Sequence, residues 1–325
     1  MKHANRYAGW VCALAACLPI PGRAADLFNA APAELLRTDT FSAEVNAGYL
    51  AGKLQEYVYD RYQPGGKVSQ LTWDLNNTLT VGGRVAFRPL DWLSVRARGW
   101  AAVTGDGSMR DYDFLYTSGF TGPNSFSHVS STPRTNVAKA WQADISLAAA
   151  FYQDETLALT AIGGFRHFDV KLNAKGGSYS YAIGTPYQFS GLLPNQIGIA
   201  YEQWWDAPYL GLGAAYSEHD WTFTLEGIGS PYVTVRDNDF HALRTTLFKG
   251  SFDATTMAGV NAGLEYRWSD AMSLAGRVEY QKYFLTHGDV KVLDGSTGTY
   301  SYFGKPSTGA SAETLQVSVG VKAKL

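Results

Sequence analysis

The chain has 325 residues, of which 46% are hydrophobic, 14% aromatic and 17% charged, and its formal net charge is −2. This balanced charge excludes the strongly basic surface of a nucleic-acid-binding protein. No run of 18 apolar residues follows residue 30, which excludes a transmembrane helix in the body of the chain. The only cysteines are Cys12 and Cys17, so disulfides and cysteine metal sites are excluded beyond them.

The first 24 residues are predicted to form a secretory signal peptide. They contain a positive start, an apolar stretch and small residues at the −3 and −1 positions of a cleavage site, namely Lys2 and Arg6, residues 8–18, and Gly22-Arg23-Ala24. Cleavage is expected after Ala24, which leaves residues 25–325 as one domain. An alternative is a lipoprotein cleavage box at Leu14-Ala15-Ala16-Cys17, which would place a lipid on Cys17.

From residue 39 onward, apolar and polar residues alternate with a period of two, which is typical of β-strands. In the last strand Val317, Val319 and Val321 fall on one face, and Ser318 and Lys322 fall on the other. Many of the strands exceed the average length of soluble strands, which is about 5–6 residues. Ten strands are predicted, at residues 39–59, 67–88, 92–107, 137–152, 156–175, 196–216, 220–238, 254–268, 272–288 and 310–325.

The connections between these strands alternate between short and long. Tight turns fall at residues 89–91, 153–155, 218–220 and 269–271, and longer segments at 60–66, 108–136, 176–195, 239–253 and 289–309. Short turns on one rim and long loops on the other are typical of outer-membrane barrels. The pattern therefore predicts an all-β fold, a ten-stranded antiparallel transmembrane β-barrel of the outer membrane. Its long strands would project beyond the bilayer, and its long loops would lie outside the cell.

Two acidic segments are expected just above strand ends on the outer rim. Because alternate residues of a strand point the same way, Asp111 and Asp113 share one direction, and Asp237, Asp239 and His241 share another. A carboxylate beside a histidine fixes its tautomer and stabilises its protonated form. A second acidic pair across a cleft could then hold a water for the histidine to deprotonate.

Other interpretations of these segments remain open. An acidic surface loop is often only solvated, and the Asp-Asn-Asp segment could bind calcium, although its spacing is not that of an EF-hand. His128, His167, His219 and His287 have no acidic pair of the same kind near them in the sequence. The chain contains no His-Glu-x-x-His, Gly-x-Ser-x-Gly or phosphate-loop motif.

Nearly the whole mature chain resembles the omptin family of outer-membrane endopeptidases, because several motifs occur in the order in which that family has them. They are Gly52-Lys53 with Glu56 and Tyr59, Lys67-Val68-Ser69-Gln70-Leu71-Thr72-Trp73, Asn76-Asn77, Met109, Asp111-Tyr112-Asp113, Gly176-Gly177-Ser178-Tyr179, Pro208-Tyr209-Leu210-Gly211 and Asp237-Asn238-Asp239-Phe240-His241.

The resemblance implies a ten-stranded barrel and an endopeptidase without a metal or other cofactor. Matched residue by residue, Asp239 and His241 would form a catalytic dyad that faces the pair Asp111 and Asp113. His241 and Asp111 would activate the water, Asp239 would orient His241, and Asp113 would support the pair. The active site would face the exterior of a Gram-negative cell and act on exposed peptides and proteins.

The resemblance also implies a pocket for the basic residue before the cut. Glu56 and Asp237 match the two acids that would bind this Arg or Lys side chain. The alternative is that they are ordinary lumen acids, which balance Arg96, Arg98 and similar residues.

The chain departs from the family pattern at three places. Residues 114–143 contain no Asp or Glu, so many residues after the cut should be tolerated, with Phe114, Tyr116 and Phe120 offering apolar contact. Family members need lipopolysaccharide, bound by basic residues on the outer wall. Here Asp169 and Trp204 stand where the family has Arg, although Lys175 keeps a charge nearby, so a requirement for lipopolysaccharide stays open. The chain also ends in Leu325 rather than the usual Phe.

The rival hypothesis is a non-enzymatic outer-membrane barrel, either an adhesin or a small porin. All four residues at the catalytic positions are present, which favours the enzyme. A ten-stranded barrel also leaves little more than a side-chain-filled interior.

Overall fold

The computed structural model describes residues 40–60, 66–115 and 125–324, and most of them lie in β-strands. The signal peptide predicted for residues 1–24, with Cys17, lies outside this part of the chain, as does Leu325. The strands are β1 Phe41–Tyr59, β2 Lys67–Leu90, β3 Leu93–Thr104, β4 Asp106–Asp113, β5 His128–Gln153, β6 Leu157–Lys175, β7 Ser178–Tyr181, β8 Phe189–Leu192, β9 Ile197–Glu218, β10 Trp221–His241, β11 Thr246–Phe252, β12 Thr255–Arg267, β13 Met272–Asp294 and β14 Thr299–Lys324.

These strands form one antiparallel sheet that closes into a ring. β1 pairs with both β2 and β14, and the pairing of β3 with β5 completes the circuit. β3 and β4 together occupy one place between β2 and β5, and β11 and β12 occupy one place between β10 and β13. Ten barrel strands result, and β7 and β8 form a small hairpin added to β5. The predicted ten-stranded antiparallel barrel is confirmed.

Several strands extend far into the segments that the sequence analysis placed in long outer loops. β4 and β11, the starts of β5 and β14, and the ends of β10 and β13 all fall there. Asp111, Asp113, Asp239 and His241 therefore lie within strands, and their placement in loops above the strand ends was wrong. Above the membrane the outer face of a strand meets water, so backbone pairing continues while the alternation of apolar and polar residues that marks a strand fades.

The lower part of the barrel has an apolar outer surface and a polar interior. Outward residues such as Val45, Leu210 and Val319 are 74%, 67% and 64% exposed, which is the arrangement expected of a surface that meets lipid. Inside, the fully buried Arg166 donates hydrogen bonds to Asp144 of β5 and, across the lumen, to Gln281 of β13. Side chains thus fill the lumen at this level. No helix in the described ranges is long and apolar enough to cross a membrane.

The strands carry the candidate site well above this apolar belt. Glu56 lies seven residues beyond Tyr49 on β1, which corresponds to about 16 Å along the barrel axis for a strand tilted by about 45°. The position of β4 depends on Gly107, where an added Cβ would lie 1.8 Å from the carbonyl oxygen of Asp74. Only glycine allows this close approach to β2, which places the acids further along β4.

Candidate active site

The first acidic pair lies on β4 and faces the barrel interior. Asp111 and Asp113 are opposite Leu71 and Ser69 of β2, and the Ser69 hydroxyl donates a hydrogen bond to Asp111 Oδ1 at 2.8 Å. Burial, and next the charge of Asp113, raise the pKa of Asp111 to about 7. Burial also raises the pKa of Asp113. This pair can therefore hold and exchange a proton near neutral pH.

The second group lies on β10, where Asp239 and His241 share the inward face. His241 Nε2 lies 2.5 Å from Asp239 Oδ2, and the imidazole packs edge-on against Phe248, with a centroid distance of 5.2 Å. Asp239 is only 3% exposed, and its Oδ1 has no hydrogen-bond partner among the described residues. The other imidazole nitrogen, Nδ1, accepts a hydrogen bond from Arg244 Nη2 at 2.9 Å.

These two groups meet across the mouth of the barrel. β4 lies between β2 and β5, whereas β10 lies between β9 and the β11–β12 strand, so they are not neighbours in the sheet. Even so, the charge of Asp239 contributes to the raised pKa of Asp111, and the charge of His241 opposes the rise at Asp113. The structure thus brings all four predicted catalytic residues to one cleft.

Two further acids lie buried beside the Asp-His group. Glu56 of β1 and Asp237 of β10 are each 4% exposed. Burial, and then the charges of Asp239, Asp237 and Asp111, raise the pKa of Glu56 well above its usual range. Burial is also the main cause that raises the pKa of Asp237 to about 7. These carboxyls converge on one place, where a cation would relieve their repulsion.

Hydrogen bonds hold Asp237 more firmly than Glu56. Asp237 accepts the hydroxyl of Tyr201 at 3.1 Å and the backbone N–H of Gly250 at 2.9 Å. Tyr201 in turn accepts a hydrogen bond from Gln203, and its ring stacks on Trp73 at 5.4 Å. In contrast, Glu56 Oε2 has no partner in the described part of the chain. Aromatic side chains therefore pack beside Asp237, and one carboxylate oxygen of Glu56 is left without a partner among the described residues.

Sequence reasoning missed three residues near the cleft. His128 was judged to lack an acidic pair, but it is opposite Asp113 in the β4–β5 register, and its charge lowers the pKa of Asp113 against the effect of burial. Ser69 lies inside a quoted motif, and Arg244 follows His241 by three residues. Spacing could have indicated Arg244, whereas nothing before the pairing of β4 with β5 could have indicated His128.

The segment after the acidic pair differs from expectation in one respect. Phe114 is 8% exposed, and Lys67 Nζ lies 4.1 Å from its ring centroid, so it does not offer the open apolar contact that was predicted. Tyr116 and Phe120 lie outside the described residues. Within the described ranges no group of three or more His, Cys, Asp or Glu side chains could hold a metal ion, so the calcium interpretation gains no support.

The outer wall beside the cleft carries cations that are already paired. Lys139 contacts Asp169 at 2.7 Å and also contacts Glu202, and Lys171 contacts Glu202 at 3.3 Å. Trp204, at the second position that departs from the family, lies 5.9 Å from Lys139 Nζ, measured to its ring centroid. This wall therefore presents balanced charges to its surroundings.

Comparison with known proteins agrees with this architecture. The sequence profile of the omptin family matches residues 37–325. The chain is 29% identical to the plasminogen activator of Yersinia pestis, over 90% of this chain and 93% of that protein. It is 32% identical to the outer membrane protease OmpP of Escherichia coli K12, over 68% and 70% of the two chains.

A solved structure shows the same fold. The crystal structure of the outer membrane protease OmpT from Escherichia coli superposes with a TM-score of 0.81, at 23% identity, over 88% of this chain and 96% of that one. This likeness shows the same barrel fold, and the family profile covers the same part of the chain. The chain belongs to the omptin family and is an outer-membrane β-barrel of a Gram-negative bacterium, with its cleft at the cell surface.

Proposed function

We propose that this chain is a surface endopeptidase that hydrolyses peptide bonds after Arg or Lys, with a water activated between His241 and Asp111. The proposal rests on one observation: the Asp239–His241 group lies close to the Asp111–Asp113 pair, beside the buried acids Glu56 and Asp237. Its relatives include proteins named as outer-membrane proteases.

In the proposed reaction, water attacks the carbonyl carbon of the scissile bond directly. Its proton passes to Nδ1 of His241, because Nε2 already faces Asp239 at 2.5 Å. Asp239 orients the ring and stabilises the imidazolium, and Asp111 holds the water from the other side. The imidazolium then protonates the leaving amine as the carbon–nitrogen bond breaks. Asp113 supports Asp111 through their shared contact with Ser69.

The proposed specificity comes from Glu56 and Asp237. An Arg or Lys side chain in the pocket would meet the unpartnered Glu56 Oε2 and one oxygen of Asp237. A neutral side chain would leave these buried acids unpaired, which costs more than the lost attraction alone. The substrates are therefore exposed peptides or proteins with a basic residue before the cut.

The proposed mechanism assigns no step to lipopolysaccharide. Family resemblance implies that lipopolysaccharide activates the enzyme. On the outer wall, however, the lysines that could bind its phosphates already contact Asp169 and Glu202. We propose that outer-membrane lipid surrounds the barrel and that lipopolysaccharide has at most a modest effect on activity. The mechanism itself uses only side chains and water.

A matched pair of histidine variants tests the proposed function. The barrel also carries an Asp-His pair on its outer wall, in which His167 Nδ1 lies 2.6 Å from Asp206 Oδ1. His241→Ala should reduce cleavage of a fluorogenic Arg-Arg peptide by whole cells about 10²–10⁴-fold, since a general base contributes that much. His167→Ala should leave cleavage unchanged. Near-full activity of the His241 variant would refute the dyad.

The same assay addresses the rival hypothesis of an adhesin or small porin. If the wild-type chain cleaves no peptide with a basic residue, the enzyme proposal fails and a non-enzymatic barrel remains. The buried Arg166 and its partners fill the lumen, which counts against a porin.

A further inference from the structure

Arg244 extends from a surface turn back into the cleft. It ends the 3₁₀ turn Ala242–Arg244 that follows β10, and Thr245 after it adopts a left-handed conformation with φ of 51°. Its guanidinium lies 5.3 Å from the ring centroid of Phe248, which also contacts His241. Arg244 is exposed at this turn, and its guanidinium lies against the imidazole of His241.

The contact between Arg244 and His241 fixes the tautomer of the histidine. Arginine has only donors, so the nitrogen that Arg244 Nη2 approaches at 2.9 Å, Nδ1, must carry a lone pair. The proton of the neutral ring is then on Nε2, which donates it to Asp239. Nδ1 is also the nitrogen that takes the proton of the water in the proposed mechanism. Arg244 thus touches a reacting atom.

Arg244 also acts on the acidic pair opposite. Burial raises the pKa of both Asp111 and Asp113, and the charge of Arg244 lowers both against that effect. The guanidinium is therefore close to β4 as well as to β10. It lies in the part of the cleft where the water and the scissile carbonyl are to react.

The reaction needs a positive group at this place. Asp111, Asp113, Asp239, Glu56 and Asp237 all surround the cleft, so an oxyanion that forms there develops in a field of carboxylates. The imidazolium supplies one positive charge, but it faces the water. Donors that are already oriented toward a developing oxyanion contribute strongly to catalysis, because they need no reorganisation when the charge forms.

We propose that Arg244 is a catalytic residue that stabilises the oxyanion of the tetrahedral intermediate. This inference rests on the proposed function. When substrate enters, the water replaces the guanidinium on Nδ1, and the guanidinium remains one hydrogen bond away. The attacking water and the carbonyl oxygen become bonded to the same carbon, so a donor within reach of the first is within reach of the second.

Variants of Arg244 in the full-length, refolded protein test this role. Arg244→Gln should lower kcat for the fluorogenic Arg-Arg peptide about 10²-fold, the usual loss for one oxyanion donor, and leave KM within a few-fold. Arg244→Lys should recover part of kcat. Guanidinium ion added at low concentration should raise kcat of Arg244→Ala, because it can occupy the vacated space.

Arg236→Gln is the matched control, since Arg236 lies on the same strand but on the outer wall, over Trp204 and beside Asp206. It should keep wild-type kcat. An unchanged or increased kcat in Arg244→Gln would overturn the inference, as would a loss that neither Lys nor guanidinium restores. If wild type and the Arg236 control are both inactive, the proposed function itself has failed.

Discussion

Replacing Asp237 by Asn is expected to remove most activity and yet stabilise the barrel. Folding raises the pKa of Asp237 from an ordinary value of 3.8 to about 7, mainly because the carboxyl is buried. Such a carboxyl contributes stability that is fully present below pH 3.8 and is lost as the pH rises through 7. At neutral pH the folded chain therefore bears the cost of a buried charge that Asn would not carry.

The size of the effect follows from the two pKa values. The pKa shift of about three units means that the buried carboxylate lowers the free energy of unfolding by about 4 kcal/mol at pH 8 and by about 2 kcal/mol at pH 5, because one pKa unit is worth about 1.4 kcal/mol. Asn also weakens the hydrogen bond from Tyr201, at a cost of about 1 kcal/mol. The pKa of about 7 already includes this hydrogen bond, which favours the ionised carboxylate, so the comparison between the two pH values needs no separate allowance for it.

Guanidinium denaturation of the refolded protein in detergent micelles measures this difference. The free energy of unfolding of Asp237→Asn, relative to wild type, should be about 2–3 kcal/mol more favourable at pH 8 than at pH 5. Asp253→Asn, at an exposed rim position beside Lys305, is the control and should show no such dependence. A variant that is equally destabilised at both pH values would show that Asp237 is not held as an unfavourable buried charge.

Three further results are expected. The KM for a peptide with Arg before the cut should rise as the pH falls through 7, because protonation of Asp237 removes its attraction for the cation; a flat KM between pH 8 and 6 would contradict the pocket. A peptide library should show broad tolerance after the cut, since residues 114–143 contain no acid. Asp289, an acid of the 289–309 segment that could otherwise attract a basic residue, interacts with Lys305 instead. A strict demand for a basic residue after the cut would refute this expectation. Protein refolded in detergent without lipopolysaccharide should have most of the activity that it has after lipopolysaccharide is added, because the lysines of the outer wall are already paired. Complete dependence on added lipopolysaccharide would show that the wall binds it.

The fold was largely readable from the sequence because the membrane imposes a local rule. A strand that crosses lipid must alternate apolar and polar residues, as 317–322 do, and a closed barrel must satisfy its backbone groups without an edge. The same rule stops at the membrane surface, where both faces of a strand meet polar surroundings. For this reason the outer ends of β10, β13 and β14 were taken for loops.

The sequence by itself determined which residues share a face. Alternation placed Asp111 with Asp113, and Asp237 with Asp239 and His241, and these local relations hold in the structure. Which faces meet was a different question, because β1, β4 and β10 are far apart in the chain. Only closure of the barrel brought Glu56 to Asp237, only the register of β4 with β5 set His128 opposite Asp113, and only the turn after β10 aimed Arg244 at His241. Side-chain direction follows from the local geometry of a strand, whereas these contacts depend on long-range pairing that no single segment encodes.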